Sequence, residues 1–373
     1  MATCAPGRRG PDKESARGQR LAPGEGARRV VPMTDAPGGR LAGMERELTA
    51  PVDLADAEGR LRPDAIGWAR HPLHRIALPR GLPRVHAFDY WCVTNREVAL
   101  TMLVADVGFA GVAMVSLQDL GGGAPVERIY VRPRGLPAPM PPGADGEVAF
   151  EVRRLRIQVG PRRLAAQART LTGRRLDVDL AIDPPAGHET INVVVPWSET
   201  RYHVTSKQQA LPARGTVRLD GRSYRFGADT DGFACRDFGR GRWPDGIDWR
   251  WAFASTRIDG RPVGFNLGAG WTDGTPVTEN GLVIDGRVHK LGEAVAIDFD
   301  PRAPRRPWRL RTVGTRRVDL TFTPLTLRPV HVPPVFRLRQ CMGRYDGTIV
   351  DDAGRALRLD GALGLAESVH GRW

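Results

Sequence analysis

Asp-Gly dipeptides recur along the chain, and they limit its fold more than any other feature of the sequence. Nine are present among short apolar runs. Asp-Gly suits the positive φ angles of tight hairpins, so each dipeptide predicts a turn between antiparallel strands. Eight of them lie in the second half of the chain, including Asp220-Gly221, Asp259-Gly260, Asp285-Gly286, Asp346-Gly347 and Asp360-Gly361.

The apolar runs have the two-residue period of half-buried strands. From Leu176 to Ile182 aliphatic side chains alternate with mostly acidic ones, and Leu155, Ile157 and Val159 alternate in the same way with polar residues. Amphipathic helical patterns do not extend beyond about three turns. Short strands spaced by roughly 8–12 residues are typical of sandwiches and barrels. We therefore predict an all-β protein with antiparallel sheets.

The number of predicted strands exceeds what one small barrel needs. A chain of 373 residues is long enough for two domains of ordinary size. We expect one β-barrel-like domain at 50–205 and a second at 206–373, joined near the polar segment Ser198–Leu211. Residues 1–43 cluster glycine and proline without an apolar period, which predicts a disordered, dispensable extension.

The basic charge of the chain is spread out and does not predict a nucleic-acid partner. The formal net charge is +13, but only Lys13, Lys207 and Lys290 are lysines, and arginine doublets are distributed along the whole sequence. A phosphate-binding surface would concentrate the charge in one segment or on one face. We expect no nucleic-acid partner.

The four cysteines fit a reducing compartment. They lie far apart without a C-x-x-C pair, so neither a zinc site nor a disulfide framework is predicted. The N-terminus lacks the apolar stretch of a secretion signal. We expect a cytoplasmic protein without a metal or cofactor, and we leave Met1, Met33 and Met44 open as the start codon.

The segment Val98–Leu117 imitates a membrane span. It carries one charge, Asp106, near its middle, and a carboxylate there costs about 2.5–3.5 kcal/mol on insertion scales. Gly108 beside it favours a turn between two buried strands. We therefore predict a strand pair and no membrane span.

Four segments carry a resemblance to a known family. They are RELTAPVDLADAEGRLRPDAIGWARHPLHR (Arg46–Arg75), FDYWCVTNREVALTMLVADVGFAGVAMVSLQDL (Phe88–Leu120), the dense stretch Arg236–Glu293 and GRYDGTIVDDAGRALRLDGALGLAES (Gly343–Ser368). Together they resemble the bacterial family known as domain of unknown function 2804, from about Glu45 to the C-terminus. That family has no established activity, so the resemblance implies a group but no reaction.

A shorter element is similar to a wider group. Asp237-Phe238-Gly239 resembles the Asp-aromatic-Gly element of the carotenoid hydratase and tocopherol cyclase group, whose members pair two lipocalin-like barrels. Phe238 stands where tryptophan is usual, which removes an indole N–H. The resemblance implies two tandem antiparallel lipocalin-like barrels or sandwiches. It also implies a lipid or isoprenoid-like apolar small molecule as the partner.

Tryptophans and acids crowd the stretch from Asp237 to Lys290, and we take our candidate site from them. A carboxyl group in an apolar pocket has a raised pKa and can act as an acid, while tryptophan faces attract a developing cation. The candidate catalytic residues are Asp237, Glu279 and His289. The candidate substrate-binding residues are Trp249, Trp251, Trp271, Asn266 and Arg240.

Simpler interpretations of the same residues stay open. The tryptophans could form a packed barrel core, Asp237 could pair with Arg240 or Arg242, and Glu279 could cap a turn. His289 and Lys290 are neighbours on a predicted strand, so only one of them can face inward, and we favour His289.

Three functions fit this pattern. The first is binding of an apolar small molecule in a cavity mainly of the second domain. The second is a hydratase or cyclase that protonates a C=C bond of such a molecule, and the third is a carbohydrate-active β protein. A closed apolar cavity favours the first two, and an open groove with exposed tryptophan faces favours the third.

Overall fold

The structure is a computed structural model that describes residues 45–79, 81–83 and 85–372. The extension expected at residues 1–43 lies outside the described residues. Two 3-10 turns, at Pro63–Ala65 and Ala228–Thr230, are the helical elements of the described chain.

Strands account for nearly all of the regular structure, which confirms the predicted all-β class. In chain order they are β1 (Val52–Asp53), β2 (Trp68–Ala69), β3 (His74–Arg75), β4 (Val85–Thr94), β5 (Val98–Asp106), β6 (Ala110–Asp119), β7 (Val126–Pro133), β8 (Val148–Val152), β9 (Leu155–Val159), β10 (Arg163–Arg169), β11 (Arg175–Ile182), β12 (Ile191–Ser198), β13 (Arg201–Leu219), β14 (Arg222–Phe226), β15 (Phe233–Arg242), β16 (Gly246–Ile258), β17 (Arg261–Ala269), β18 (Gly281–Ile284), β19 (Arg287–Lys290), β20 (Val295–Asp298), β21 (Trp308–Thr312), β22 (Val318–Pro324), β23 (Arg328–Val332), β24 (Phe336–Val350) and β25 (Ala356–Arg372).

Two curled antiparallel sheets contain most of these strands, as expected for tandem lipocalin-like half-barrels. The first sheet has the order β7-β6-β5-β4-β15-β13-β11-β10-β9-β8, with β12 and β14 also paired to β13, and β2 paired to β12. The second has the order β19-β18-β17-β16-β25-β24-β22-β21-β20, with β23 paired to β24. A separate short pair joins β1 and β3 in parallel.

Three Asp-Gly dipeptides close two-residue hairpins as predicted. Asp220-Gly221, Asp259-Gly260 and Asp285-Gly286 all have positive φ at both residues, between strands paired directly on either side. Asp346-Gly347 and Asp360-Gly361 are not hairpin turns. They lie inside β24 and β25, at a β-bulge where the register of the two strands shifts. A bulge, like a tight turn, needs a residue that tolerates unusual backbone angles, so the same dipeptide suits both.

The segment Val98–Leu117 forms the predicted strand pair. β5 and β6 are antiparallel neighbours, with a turn after Asp106. Within the described residues no helix is long and apolar enough to cross a membrane.

The segment Ser198–Leu211 is mostly strand. It contributes the first half of β13, which pairs with β15 in the first sheet, and the chain passes to the second sheet between Arg242 and Gly246. Both faces of β13 are buried here: one carries Tyr202, which packs in an apolar cluster, and the other carries Lys207, which pairs with Asp237. The usual alternation of apolar and polar residues is therefore missing from its sequence.

Each sheet has its own core on one face and meets the other sheet through the opposite face. Trp91 of β4 lies in the core of the first sheet, and Ala252 of β16 lies in the core of the second. Their neighbours Tyr90 and Trp251 belong to a third cluster that both sheets share. Since successive side chains of a strand face opposite ways, the space between the sheets is lined by alternate residues of both.

Candidate functional site

A cavity of about 360 Å³ lies between the two sheets. Its walls come from β4, β5 and β6 of the first sheet, from the central strands β13 and β15, and from β16, β24 and β25 of the second. The surface is mainly aromatic and aliphatic, with a few charged side chains. The cavity is therefore a property of both halves of the chain and does not belong mainly to the second.

Strand register brings charged residues of distant segments into one row of the cavity wall. On the central strands Lys207 is the direct cross-strand partner of Asp237, and Asp237 is the partner of Tyr90. In the second sheet Trp251 lies between Gly268 and Glu367. Direct cross-strand partners share a face of the sheet, so both rows face the same space.

Lys207 is the centre of a buried ionic cluster. Its ammonium Nζ lies 2.7 Å from Asp237 Oδ2 and 3.2 Å from Glu279 Oε2, with all three side chains less than one tenth exposed. It also lies 4.7 Å from the centre of the Trp251 ring, a cation–π distance. The hydroxyl of Thr205 donates to Asp237 Oδ1 at 2.9 Å. The carboxylate of Asp237 is thus held from two sides.

Glu279 has room beside Lys207 because residue 268 is glycine. A Cβ at Gly268 would lie 2.5 Å from Glu279 Oε1. Burial raises the pKa of Glu279 more than the nearby Lys207 ammonium lowers it. Burial alone would lower the pKa of Lys207, but the carboxylates of Asp237 and Glu279 raise it.

A third carboxyl group, Glu367, lies across the cavity wall. It accepts hydrogen bonds from the indole Nε1 of Trp249 at 3.1 Å and from Nε2 of Gln340 at 2.9 Å. Burial raises its pKa as well. One ammonium balances one carboxylate, and burial raises the pKa of both Glu279 and Glu367 beside the Lys207–Asp237 pair.

The three predicted tryptophans all line this cavity. Trp271 packs edge-to-face against Trp249 and Trp243, with ring centroids 5.5 and 5.2 Å apart. The indole of Trp251 donates to Asn266 Oδ1 at 2.7 Å, and Asn266 Nδ2 donates to the carbonyl of Glu279 at 2.8 Å. Asn266 therefore connects a wall residue to a candidate acid without lining the cavity itself.

His203 adds a neutral imidazole to the wall. Its Nδ1 accepts a hydrogen bond from the Trp243 indole at 2.9 Å, which requires the proton of the neutral ring to be on Nε2. Burial holds the pKa of His203 well below its usual range, and the charge of Lys207 lowers it further. The ring is therefore uncharged and provides a donor at Nε2.

Five of the predicted site residues line the cavity together, but His289 and Arg240 do not. His289 lies beside Asp352, with Nδ1 3.2 Å from its carboxylate, because its neighbour Lys290 takes the inward position on β19. Arg240 donates to the carbonyl oxygen of Pro141 at 3.1 Å and does not pair with Asp237. Asp237 uses Lys207 instead. The five residues brought together are Asp237, Trp249, Trp251, Trp271 and Glu279.

Sequence reasoning missed the cation of the site and the residues from the first half of the chain. Lys207 carried one signal: it is one of only three lysines in a chain that otherwise uses arginine for its positive charge. Lys290, the other lysine of the described residues, is also buried in an ion pair, with Glu45 at 2.8 Å. Tyr90, His203 and Glu367 carried no local signal.

The described part of the chain holds no cluster of metal-ligand side chains. Across residues 45–79, 81–83 and 85–372, His, Cys, Asp and Glu side chains do not form any group of three or more that could hold a metal ion. The titratable groups that the cavity wall presents include carboxyl groups, an ammonium and an imidazole.

The fold and the cavity define a class: an all-β protein of two curled antiparallel sheets with an ionic cluster in a tryptophan-lined cavity between them. The family model of the domain of unknown function 2804 matches residues 45–373, and the chain belongs to that family. No curated protein matches the sequence significantly.

Solved structures that are similar at low identity include the following two. Kievitone hydratase from Nectria haematococca is 10% identical, with 87% of this chain and 98% of that chain covered and a TM-score of 0.45. A Nitrosomonas europaea protein named only provisionally as AttH is 13% identical, with 80% and 98% covered and a TM-score of 0.42.

The raised pKa of Glu279 predicts a pH-dependent stability. The unfolded carboxyl ionises near its ordinary pKa of 4.5, but burial keeps the folded group protonated to higher pH. Its stabilising contribution is therefore complete below pH 4.5 and is lost as the pH rises through the folded-state pKa. Glutamine cannot ionise, so the free energy of unfolding of Glu279→Gln should rise relative to wild type across this window in urea titrations.

The control variant Asp220→Asn should change in stability with pH in the opposite direction to Glu279→Gln. The pKa of Asp220 is lowered by hydrogen bonds from the Arg175 N–H and the Arg174 side chain, so this group adds stability above pH 3.8 and loses it as the pH falls. Asp220→Asn should therefore lose stability relative to wild type as the pH rises from acid. A pH-independent difference for Glu279→Gln would contradict the raised pKa.

Proposed function

We propose that the cavity between the sheets binds one small, largely apolar molecule that presents a polar group to Lys207 and Glu279. The observation that supports this most directly is the composition of the wall, in which aromatic and aliphatic side chains surround a single ionic cluster. Ligand sites in proteins have this character, with a few polar groups that orient an otherwise apolar ligand. The family and the two similar structures supply no ligand for this chain.

The dimensions of the cavity limit the ligand. A volume of about 360 Å³ is at the lower end of the roughly 300–1,000 Å³ that is common for small-molecule sites. This space accommodates a compact molecule or one end of a longer lipid. An extended isoprenoid chain would have to leave through the mouth of the cavity.

A second candidate function is hydration or cyclisation at a C=C bond, and the raised pKa of Glu279 favours it. A protonated Glu279 could transfer its proton to one alkene carbon, leaving a cation on the other that the aromatic rings of the cavity wall stabilise. In hydration a water molecule then adds its oxygen to the cationic carbon and gives up a proton to the Glu279 carboxylate, which restores the acid.

A carbohydrate ligand has less support. Sugar-binding tryptophans present a flat ring face in an open groove, whereas Trp251 and Trp271 are 5% and 8% exposed. Their rings pack against other aromatic side chains.

A binding experiment tests the first function. Native mass spectrometry of the full chain should detect an apolar molecule that copurifies. In solution the neutral probe N-phenyl-1-naphthylamine should bind with one-to-one stoichiometry and quench the cavity tryptophans. Ala105→Phe fills part of the cavity next to the first-sheet wall. The new ring should displace about 50 Å² of apolar contact with the probe, which corresponds to at least a tenfold loss of probe affinity.

The control for Ala105→Phe is a substitution outside the cavity. Val313 lies 61% exposed after β21, outside the cavity, so Val313→Ser should bind the probe like wild type. Circular dichroism should show that each variant keeps its strands. A probe affinity unchanged by Ala105→Phe, with no copurifying molecule, would contradict the proposal.

A further inference from the structure

Two hairpins that carry wall residues of the cavity, Val112 and Phe336, face each other, and we take this side as its mouth. One is β6–β7 of the first sheet, and the other is β23–β24 of the second. Arg328 of β23 spans the gap, with Nε 3.0 Å from Glu127 Oε2 of β7 and Nη2 3.5 Å from Met114 Sδ of β6. The two hairpins therefore approach each other at this end of the cavity.

Strand register continues the apolar cavity wall outward along both hairpins. On the first, the wall residue Val112 is the cross-strand partner of Val131. On the second, the wall residue Phe336 is the partner of Val332. Because direct partners share a face, Val131 and Val332 extend the cavity lining to the surface.

These outer residues are exposed, which is unusual for large apolar side chains in this protein. Val131 is 61% and Val332 is 50% exposed, and Phe109, in the turn between the wall residues Val107 and Val112, is 68% exposed. With Ile129 and Val335, they make up five of the seven exposed large hydrophobic residues of the described chain. We call these five residues the apolar rim.

Arginines without acidic partners flank the apolar rim. Arg132 and Arg134 follow Val131, and Arg337 follows Phe336; all three are exposed, and none of them pairs with a described carboxylate. Arg132 and Arg337 lie on the opposite strand face from Val131 and Phe336, at the outer side of the same hairpin ends. The backbone N–H of Arg134 donates to the carbonyl of Phe109 at 2.9 Å, which places the backbone of Arg134 beside an exposed aromatic residue. Apolar side chains next to unpaired cations are the pattern of proteins that bind at the surface of anionic membranes.

We propose that the apolar rim docks on an anionic lipid surface, so that the cavity opens toward the bilayer and takes its apolar ligand from it. This inference rests on the proposed ligand-binding function and adds the source of the ligand. The formal net charge of +13 provides the long-range attraction, and the rim provides the short-range burial of apolar area. A water-soluble ligand would not need an apolar rim around the mouth.

Vesicle flotation of the full chain tests the proposal. The protein should float with vesicles of phosphatidylcholine mixed with phosphatidylglycerol, and much less with phosphatidylcholine alone. Added salt should weaken the binding, because it screens the arginines. Arg132→Gln and Arg337→Gln should each lower the partition coefficient about fivefold. Phe109→Ser should lower it about tenfold, through lost apolar burial.

Two control variants match these changes elsewhere on the surface. Val313→Ser removes an exposed apolar side chain, and Arg358→Gln removes an exposed arginine, both at positions that do not line the cavity. Both should float like wild type. An equal loss for the controls, or no flotation of the wild type, would overturn the proposal.

The two proposals fail in different ways. If the wild type binds the apolar probe but does not float, the lipid-docking inference is wrong and the ligand-binding function stands. If it floats but neither it nor its lipid-extracted form binds an apolar molecule, the ligand-binding function is wrong. A dimer in sedimentation velocity that Phe109→Ser dissociates would assign the apolar rim to self-association and overturn the docking proposal.

Discussion

Arg236→Met should lower the free energy of unfolding by about 3–5 kcal/mol, because it leaves a buried carboxylate without its partner. Arg236 is 0% and Asp89 1% exposed, and two hydrogen bonds of 2.9 and 2.7 Å join them. The guanidinium also lies 5.0 Å from the Trp91 ring centre. Burial already raises the pKa of Asp89, against the opposing effect of Arg236, so losing the arginine should raise it further. Urea unfolding measures the change.

An exposed pair of the same type is the control for Arg236. Arg156 and Glu151 are 2.7 Å apart, but both side chains are more than 60% exposed. Arg156→Met should therefore cost less than about 1 kcal/mol. The double variant Arg236→Met with Asp89→Leu should recover much of the loss, since it removes both buried charges. If Arg236→Met and Arg156→Met lowered the free energy of unfolding by similarly small amounts, burial would not explain the strength of the Arg236–Asp89 pair.

The fold was predictable from the sequence where a local pattern reports a local structure. The turns at Asp220-Gly221 and Asp259-Gly260 followed from the positive φ angles that Asp-Gly tolerates. The strand pair in Val98–Leu117 followed from a charge inside an apolar run. Asp346-Gly347 shows the limit of this reasoning, because the same dipeptide also suits a bulge within a long strand.

Pairing between distant strands was not predictable in the same way. β4 pairs with β15 across 139 to 157 residues of sequence, and no periodicity within either strand specifies that partner. The polar appearance of β13 was misleading for a related reason. Residues such as Lys207 are polar because they face an ionic cluster in the interior, and a sequence pattern alone cannot separate this from exposure to water.

The candidate site was predictable in part for the same reasons. Trp249 and Trp251 share a strand face by their two-residue spacing, and Glu279 stood out as an acid in a tryptophan-rich stretch. Tyr90 and His203 reach the cavity only through the sheet order, so their roles depend on long-range pairing. The strand period shows that only one of the neighbours His289 and Lys290 can face inward, but it does not show which one.

Lys207→Met should have the second large effect, on both stability and the cavity. It leaves Asp237 and Glu279 without the one ammonium within ion-pair distance, so we expect a loss of about 3–5 kcal/mol in the free energy of unfolding. Lys207→Arg should also destabilise, since a planar guanidinium does not fit a space built for a compact ammonium above Trp251. Urea unfolding of each variant measures these losses.

A double-mutant cycle with Asp237 separates the ion pair from packing at Lys207. If the charges are responsible, Asp237→Asn should cost less in the Lys207→Met background than in the wild type, with a coupling of about 1–3 kcal/mol. Additive losses would instead assign the effect to the lysine stem and its contact with Trp251.

The pH dependence gives a second readout: without Lys207 the pKa of Glu279 should rise, because the nearby positive charge that lowers it is gone. The stability difference between Lys207→Met and wild type should therefore widen as the pH increases, since more unpaired carboxylate then has to be buried.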